Sequence, residues 1–188
     1  MSKKKIINIF KDTDPLWKYV RGTGNWTSIV DTDDYDAWTT NLSGEEVDEL
    51  GTELEAYLAE AVEFAKAEGK DVQHIANEFY KTAQDGTKYI KFKRKKYDED
   101  TEGPKVYNIT GEEITGQVKK DPGGGSTLRV RAMIKPYFMA STKTVGLSFG
   151  MLAVQIIENK EYVGASGFGD ESSGETPPFE VASESEDY

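Results

Sequence analysis

The 188-residue sequence has no cysteine and a single histidine, His74. The first absence removes disulfides, thiolate metal sites and thiol nucleophiles together, and it fits a reducing compartment. The lone His74 sits in a helical-looking segment without an obvious partner, which favours a surface or packing role over catalysis. No nucleophile and base pair suggests itself elsewhere. No run of about 18 apolar residues occurs, so no membrane-crossing helix is expected. The opening "MSKKKIINIF" has the basic start of a signal peptide, but its apolar stretch is too short and broken for one. A soluble, unsecreted protein without cofactor or bound metal is expected.

Two short motifs fail on inspection. "DPGGGST" lacks the lysine of a phosphate loop and reads as a hairpin turn. "DTDDYDAW" has a calcium-loop flavour at Asp31 and Asp33, but Asp36 stands where the loop needs glycine and Leu42 where it needs glutamate.

A length of 188 residues suits one globular domain with an appendage. The net charge of -11, from 34 acids against 23 bases, argues against a polyanionic partner if it is spread evenly. It is not spread evenly. Residues 164–188 hold seven acids and no base, and residues 44–68 hold nine acids and one lysine. The remainder is mildly basic, and "KYIKFKRKKY" at 88–97 packs six cationic side chains with no acid.

The pattern is mainly β with inserted helices. Residues 43–69 read as an amphipathic helix opened by a Ser43/Glu46 capping box, with Val47, Leu50, Leu54, Tyr57, Leu58, Ala61, Val62 and Ala65 on one stripe. A shorter helix is expected over 71–84 on the spacing of Val72, Ile75, Ala76 and Phe79. Strand character marks "KIINIF" near the start, then 16–20, 88–95, 105–109, 127–139 and 145–157. The stretches "GTGN", "DEDTEGP", "ITGEE" and "DPGGGS" read as the turns between them. A small antiparallel barrel over residues 1–163, followed by a flexible acidic tail at 164–188, is the expected organisation.

Alternation along a strand splits two of these segments by face. In 88–97, Ile90 and Phe92 face a core, while Tyr89, Lys91, Lys93, Lys95 and Tyr97 share the other side. In 127–139, Leu128, Val130, Ala132, Ile134 and Phe138 face inward, while Arg129, Arg131, Met133, Lys135 and Tyr137 face outward. Trp17, Tyr19 and Arg21 form a third set. A cationic row on a strand is often only the solvated side of a sheet. Two such rows, each with aromatics, point instead to unpaired nucleic acid, whose phosphates attract cations and whose exposed bases stack on rings. Lying on one barrel, the rows are expected to join as one groove.

The order of "KYIKFKRK", "STLRVRAMIKPYFM", "VGLSFGMLAVQIIE" and "PFEVASESEDY" resembles the phage single-stranded-DNA-binding proteins, OB-fold replication proteins with an acidic tail ending in an aromatic residue. The resemblance covers about residues 86–188. It implies a five-stranded Greek-key OB barrel that coats single-stranded DNA in phage replication and recombination without strong sequence preference, as a homodimer in the cytoplasm of the infected host. It also implies tail contacts with a replicative DNA polymerase and a primase-helicase. Asp170, Glu171, Glu175, Phe179, Glu180, Glu184, Glu186, Asp187 and Tyr188 are the tail residues in question. Two other classes are open: a protein-interaction adaptor with basic and acidic docking surfaces, and a metal-dependent nuclease using Asp31 to Asp36.

Overall fold

The computed structural model describes residues 8–161. The tail at 164–188 lies outside that range with every residue assigned to it, as does the first half of the strand expected in "KIINIF". The described end of that stretch is a turn, not a strand, and its Phe10 is buried with its ring centroid 5.5 Å from that of Phe64.

In chain order the elements are β1 (Leu16–Ser28), β2 (Ala37–Ser43), α1 (Glu45–Glu49), α2 (Gly51–Ala67), β3 (His74–Ile75), β4 (Lys81–Thr82), β5 (Lys88–Lys95), β6 (Lys105–Tyr107), β7 (Ser126–Met139) and β8 (Thr144–Glu158). Antiparallel pairings join β1 to β2 and β7, β2 to β5, and β7 to β8. A parallel bridge between Lys93 and Gly150 joins β5 to β8 and closes the ring β1-β2-β5-β8-β7. This is the expected five-stranded OB barrel. Its interior is filled by Val20, Leu42, Ile90, Phe92, Leu128, Val130, Ile134, Met151 and Val154, all essentially inaccessible to solvent.

The ring closes because β1 serves two neighbours. Leu16–Gly24 runs opposite Ile134–Ser126 of β7, and Thr23–Ser28 continues opposite β2. The glycines of "GTGN" therefore make no turn between strands. A Cβ on Gly22 would lie 2.4 Å from the Ser43 carbonyl oxygen, and one on Gly24 would lie 2.4 Å from Leu128 Cδ1. Both are strand residues pressed against neighbours, a use of glycine that resembles turn chemistry in the sequence.

The long amphipathic segment is helical, and its expected stripe is the buried one. Its start differs. Ser43 is the last residue of β2, and its hydroxyl donates to the Thr23 carbonyl (3.4 Å) instead of capping; Gly44 is the N-cap, with φ of 129°. Glu46 accepts from the backbone N–H of Arg21 at 2.8 Å, so the acid that completes the apparent capping box ties the helix to β1. Lys18 adds a second tie, 2.5 Å from Glu53.

The helix expected over 71–84 is absent. His74–Ile75 instead pairs in parallel with Thr144–Val145 on the free edge of β8, and Lys81–Thr82 pairs with Tyr89–Lys88 to form a hairpin. Phe79 is buried with its ring at 6.3 Å from Phe149, whereas Ile75 is exposed, so the four apolar residues do not share one buried face. A lone helical turn gains little without tertiary packing, and an open sheet edge offers backbone hydrogen bonds directly. Asp71 accepts a bond from Lys143 at 2.5 Å, which holds its carboxyl below the usual range and pins the segment to the β7–β8 turn. "DPGGGS" joins β6 to β7, which do not pair, so it is no hairpin. Asp121 in it accepts from the N–H groups of Ile29 (2.6 Å) and Val30 (2.8 Å), fastening the end of β1.

Gly22→Ala is expected to cost about 1–3 kcal/mol, because the added methyl meets main chain that cannot rotate aside. A urea unfolding curve measures it, and a midpoint equal to that of the parent would contradict the close approach.

Candidate nucleic-acid interface

On β5 the odd positions follow the alternation, while Arg94, on the parity of Ile90 and Phe92, is half-buried with its Nε donating to the Glu102 carbonyl (2.7 Å). Ile90 and Phe92 are fully buried, with Phe92 edge-on to Phe149 at 6.0 Å, and Tyr89, Lys91, Lys93 and Lys95 point outward. Across the ladder, Lys91 faces Asn41, Lys93 faces Thr39 and Lys95 faces Ala37, so β2 adds small or polar neighbours and no carboxylate. Lys91 Nζ is 4.0 Å from Asp33 Oδ2, a partly exposed pair of little energetic weight that a phosphate can displace. Lys93 and Lys95 are exposed and form no ion pair among the described residues. Tyr97 lies just beyond the strand and is exposed.

Beside this row is a residue that alternation assigns to the wrong face. Trp26 has the same parity as Val20, Gly22 and Gly24, yet it is 83% exposed. A register shift between Asn25 and Ser28 and a φ of 51° turn it outward. A bulky residue in the left-handed region costs roughly 1–2 kcal/mol. Strain of this kind concentrates at functional positions. Thr27 then returns to the interior, its hydroxyl 2.8 Å from that of Thr40. Trp26, Asn25, Asn41 and Tyr89 line an open cleft of about 610 Å³, walled on its other side by the tip of the β4–β5 hairpin. That tip is held by Asp85, whose carboxylate accepts from Thr87 N–H at 2.9 Å and sits below the usual carboxylate range for that reason.

The outward residues of β7 and β1 form a second assembly. In register, Trp17 faces Met133, Tyr19 faces Arg131 and Arg21 faces Arg129. The Arg131 guanidinium lies over both rings, 5.2 Å from the Trp17 centroid and 5.9 Å from that of Tyr19. The third set of sequence candidates therefore joins the β7 row. Tyr107 of β6 and Gln155 of β8 complete the lining of a cleft of about 220 Å³ with Tyr19, Arg129 and Arg131. Next to Tyr107, Lys105 is 3.0 Å from Glu113; this bond raises the lysine pKa and, with a bond from Thr115, lowers that of the glutamate. Lys135 and Tyr137 sit farther along β7, opposite Ser148 and Gly146, and the Tyr137 ring occupies the space a Cβ on Gly146 would fill.

The two rows do not share one ladder. Strand β8 separates β5 from β7 on one side, and β2 and β1 separate them on the other. In a ring of five, two positions apart is as far as strands can be. The single groove expected from the sequence is thus replaced by two separate faces, because parity fixes which side a residue takes and says nothing of which strands are neighbours.

The aspartate loop supplies no metal centre. Asp33 accepts from the N–H groups of Tyr35 (2.9 Å) and Ala37 (3.1 Å), and so shapes the turn into β2. Among the described residues no group of three His, Asp or Glu side chains is placed to hold an ion, and no helix is long and apolar enough to cross a membrane. Trp26 and Tyr107 were missed in the sequence. The bulge hid the first, and the short β6, read only as a strand, hid the second.

No protein-family model matches the sequence, and no curated protein matches it. Solved structures do. Gp2.5, a single-stranded DNA-binding protein encoded by bacteriophage T7, shares 20% identity, with 90% of this chain and 100% of that chain covered and a TM-score of 0.56. The single-stranded DNA-binding protein from bacteriophage Enc34 shares 16% identity over 87% of this chain and 90% of that one, with a TM-score of 0.51. Its C-terminally truncated form shares 14% over 80% and 89%, also with a TM-score of 0.51. The chain has the OB-fold architecture found in these phage proteins.

Proposed function

We propose that the chain is a non-enzymatic single-stranded DNA-binding protein that coats unwound strands without strong sequence preference. The observation that carries this reading is the row of Lys91, Lys93 and Lys95, flanked by Tyr89 and by Trp26 from the bulged end of β1, on the face formed by β2 and β5. These are the second and third strands of the barrel, the face on which OB folds bind oligonucleotides. Ammonium groups on the row neutralise phosphates and release counterions, and the two rings offer platforms for bases. Neither contact reads base edges, so affinity should track backbone charge and stacking. Duplex DNA hides its base faces and loses the second contribution. The proteins that share the fold are single-stranded DNA-binding proteins, which supports the same assignment. The acidic stretch from Asp170 to Tyr188 resembles the ligand in charge and aromatic content; its proposed role is to compete for the cationic surface and to recruit replication proteins.

Two expectations follow from the face itself. With about -0.7 per phosphate contact, three lysines contribute roughly -2 to the slope of log K against log salt. Lys93→Ala with Lys95→Ala should make that slope shallower by about 1.4, read by fluorescence anisotropy of a thymidine oligomer at several salt concentrations. Unchanged affinity and slope would remove this face from the interface, and no binding at low salt would favour a protein-interaction adaptor instead.

Trp26 separates function from stability. Trp26→Gly relieves the left-handed φ and loses little packing, so the thermal midpoint should stay level or rise. Oligomer affinity should fall by about tenfold, equivalent to the loss of one stacked base. A lowered midpoint with unchanged affinity would show that the ring serves the fold.

A further inference from the structure

We infer that the β1–β7–β8 face is a second site for single-stranded nucleic acid, separate from the lysine row, so that one chain can hold two segments of strand on different sides of the barrel. This rests on the proposed single-strand binding and extends it.

The same chemistry recurs there in a different form. Trp17 and Tyr19 expose 47% and 63% of their surfaces, which is uncommon for rings that a fold needs for packing. Arg131 lies across both rings, and among the described residues neither it nor Arg129 forms an ion pair. Two guanidinium groups without carboxylates present flat forks suited to phosphate oxygens. Beyond them, β8 presents Ala153 and Gly150 opposite Arg131 and Met133, so no large side chain fills the space over the sheet. The resulting cleft has Tyr19 and Tyr107 among its walls, and Gln155 is fixed beside them by bonds from Nε2 to the carbonyls of Asn108 (3.1 Å) and Ile109 (3.2 Å). A base entering between phenol rings with its phosphates on Arg129 and Arg131 uses every one of these groups. An acidic peptide would use the arginines and leave the exposed rings without a role.

The site is distinct because of how β1 runs. Its first half pairs with β7 and carries Trp17, Tyr19 and Arg21; its second half pairs with β2 and carries Trp26. The tryptophans thus report on different faces. The third, Trp38, is buried against Gly103 and should stay silent.

The test titrates the full chain with a thymidine oligomer of about 6 nucleotides, within the roughly 4–16 nucleotides that one OB fold occupies. Trp26→Phe leaves Trp17 as the reporter, and Trp17→Phe leaves Trp26. Both reporters should be quenched. Adding Tyr19→Ser and Arg131→Gln should weaken the Trp17 titration by about tenfold or more and leave the Trp26 titration in place. Lys93→Ala with Lys95→Ala should do the reverse. Thermal melts check that each variant is folded, and Arg131→Lys provides a milder substitution if Arg131→Gln is not. Quenching of Trp26 alone would overturn the second site and leave the proposed function standing. Quenching of Trp17 by a polyglutamate peptide but not by the oligomer would reassign the face to an acidic protein. Equal shifts of both curves by either pair of substitutions would mean one continuous track and would also overturn it. Silence of both reporters in dilute buffer would reject single-strand binding itself.

Discussion

The bend in β1 is the constraint on which the rest of the molecule depends. One strand has to leave β7 and join β2 for five strands to form a ring, and the main chain can do so only where side chains are absent. Gly22 lies against the Ser43 carbonyl and Gly24 against Leu128, so both neighbours approach to within what any Cβ would forbid. The strand then overshoots by one residue, and the bulge that absorbs it throws Trp26 to the outside. Barrel closure and the placement of the most exposed tryptophan are therefore a single event in the backbone. The hydroxyl pair of Thr27 and Thr40 and the two bonds from Ile29 and Val30 to Asp121 hold the strand in place immediately after the bulge.

Closure also explains why the charges are divided. In an open sheet, outward rows on β5 and β7 would lie on one plane with β8 between them. Rolling the sheet into a small barrel turns them apart, and each row acquires different companions. The lysines of β5 gain Trp26 and the β4–β5 hairpin; the arginines of β7 gain the rings of β1 and the cleft under β6. The small residues along β8, Gly146, Gly150 and Ala153, keep the surface between them low.

What the sequence made legible was periodic and local. Alternation in 88–97 and 127–139 assigns Ile90, Phe92, Leu128, Val130, Ala132, Ile134 and Phe138 to the interior, and all are buried except Phe138, which is half-buried near the end of β7. The stripe from Val47 to Ala65, at spacings of three and four, likewise names the face that α1 and α2 bury, with Tyr57 half-buried at its margin. The failures have physical reasons. "AWTTNLS" is a strand walled by barrel neighbours on both sides, but its threonines and asparagine gave no apolar alternation, and the aspartates before it drew attention to a metal loop. Ser43 and Glu46 have the spacing of a cap, yet the strand pairing of Ser43 and the free N–H of Arg21 were stronger claims on those groups. Val72, Ile75, Ala76 and Phe79 have helical spacing over too few turns to outweigh the exposed edge of β8. Pairing between residues 93 and 150, which decides whether the charged rows meet, leaves no local trace at all.

The acidic balance of the chain is compatible with a polyanionic ligand because the described acids are placed away from the cationic rows or tied up in structure. On α1 and α2 they face outward or bind β1, Glu46 through the Arg21 amide and Glu53 through Lys18. Around β5 they gather at one end. Asp98, Glu99, Asp100 and Glu102 are exposed in the loop after Lys95, and Asp31, Asp34 and Asp36 are exposed in the loop that meets it, where Lys96 N–H donates to the Asp36 carbonyl at 2.7 Å. A strand of phosphates following Lys91, Lys93 and Lys95 therefore encounters like charge beyond Tyr97. Within a Debye length of about 8 Å that repulsion is felt before contact. For the proposed single-strand ligand this end of β5 would be the unfavourable direction, and Tyr35 and Tyr97 are exposed there. Under the proposed function the cations would attract the strand and the acids would limit its direction, so an overall negative charge is compatible with such a ligand.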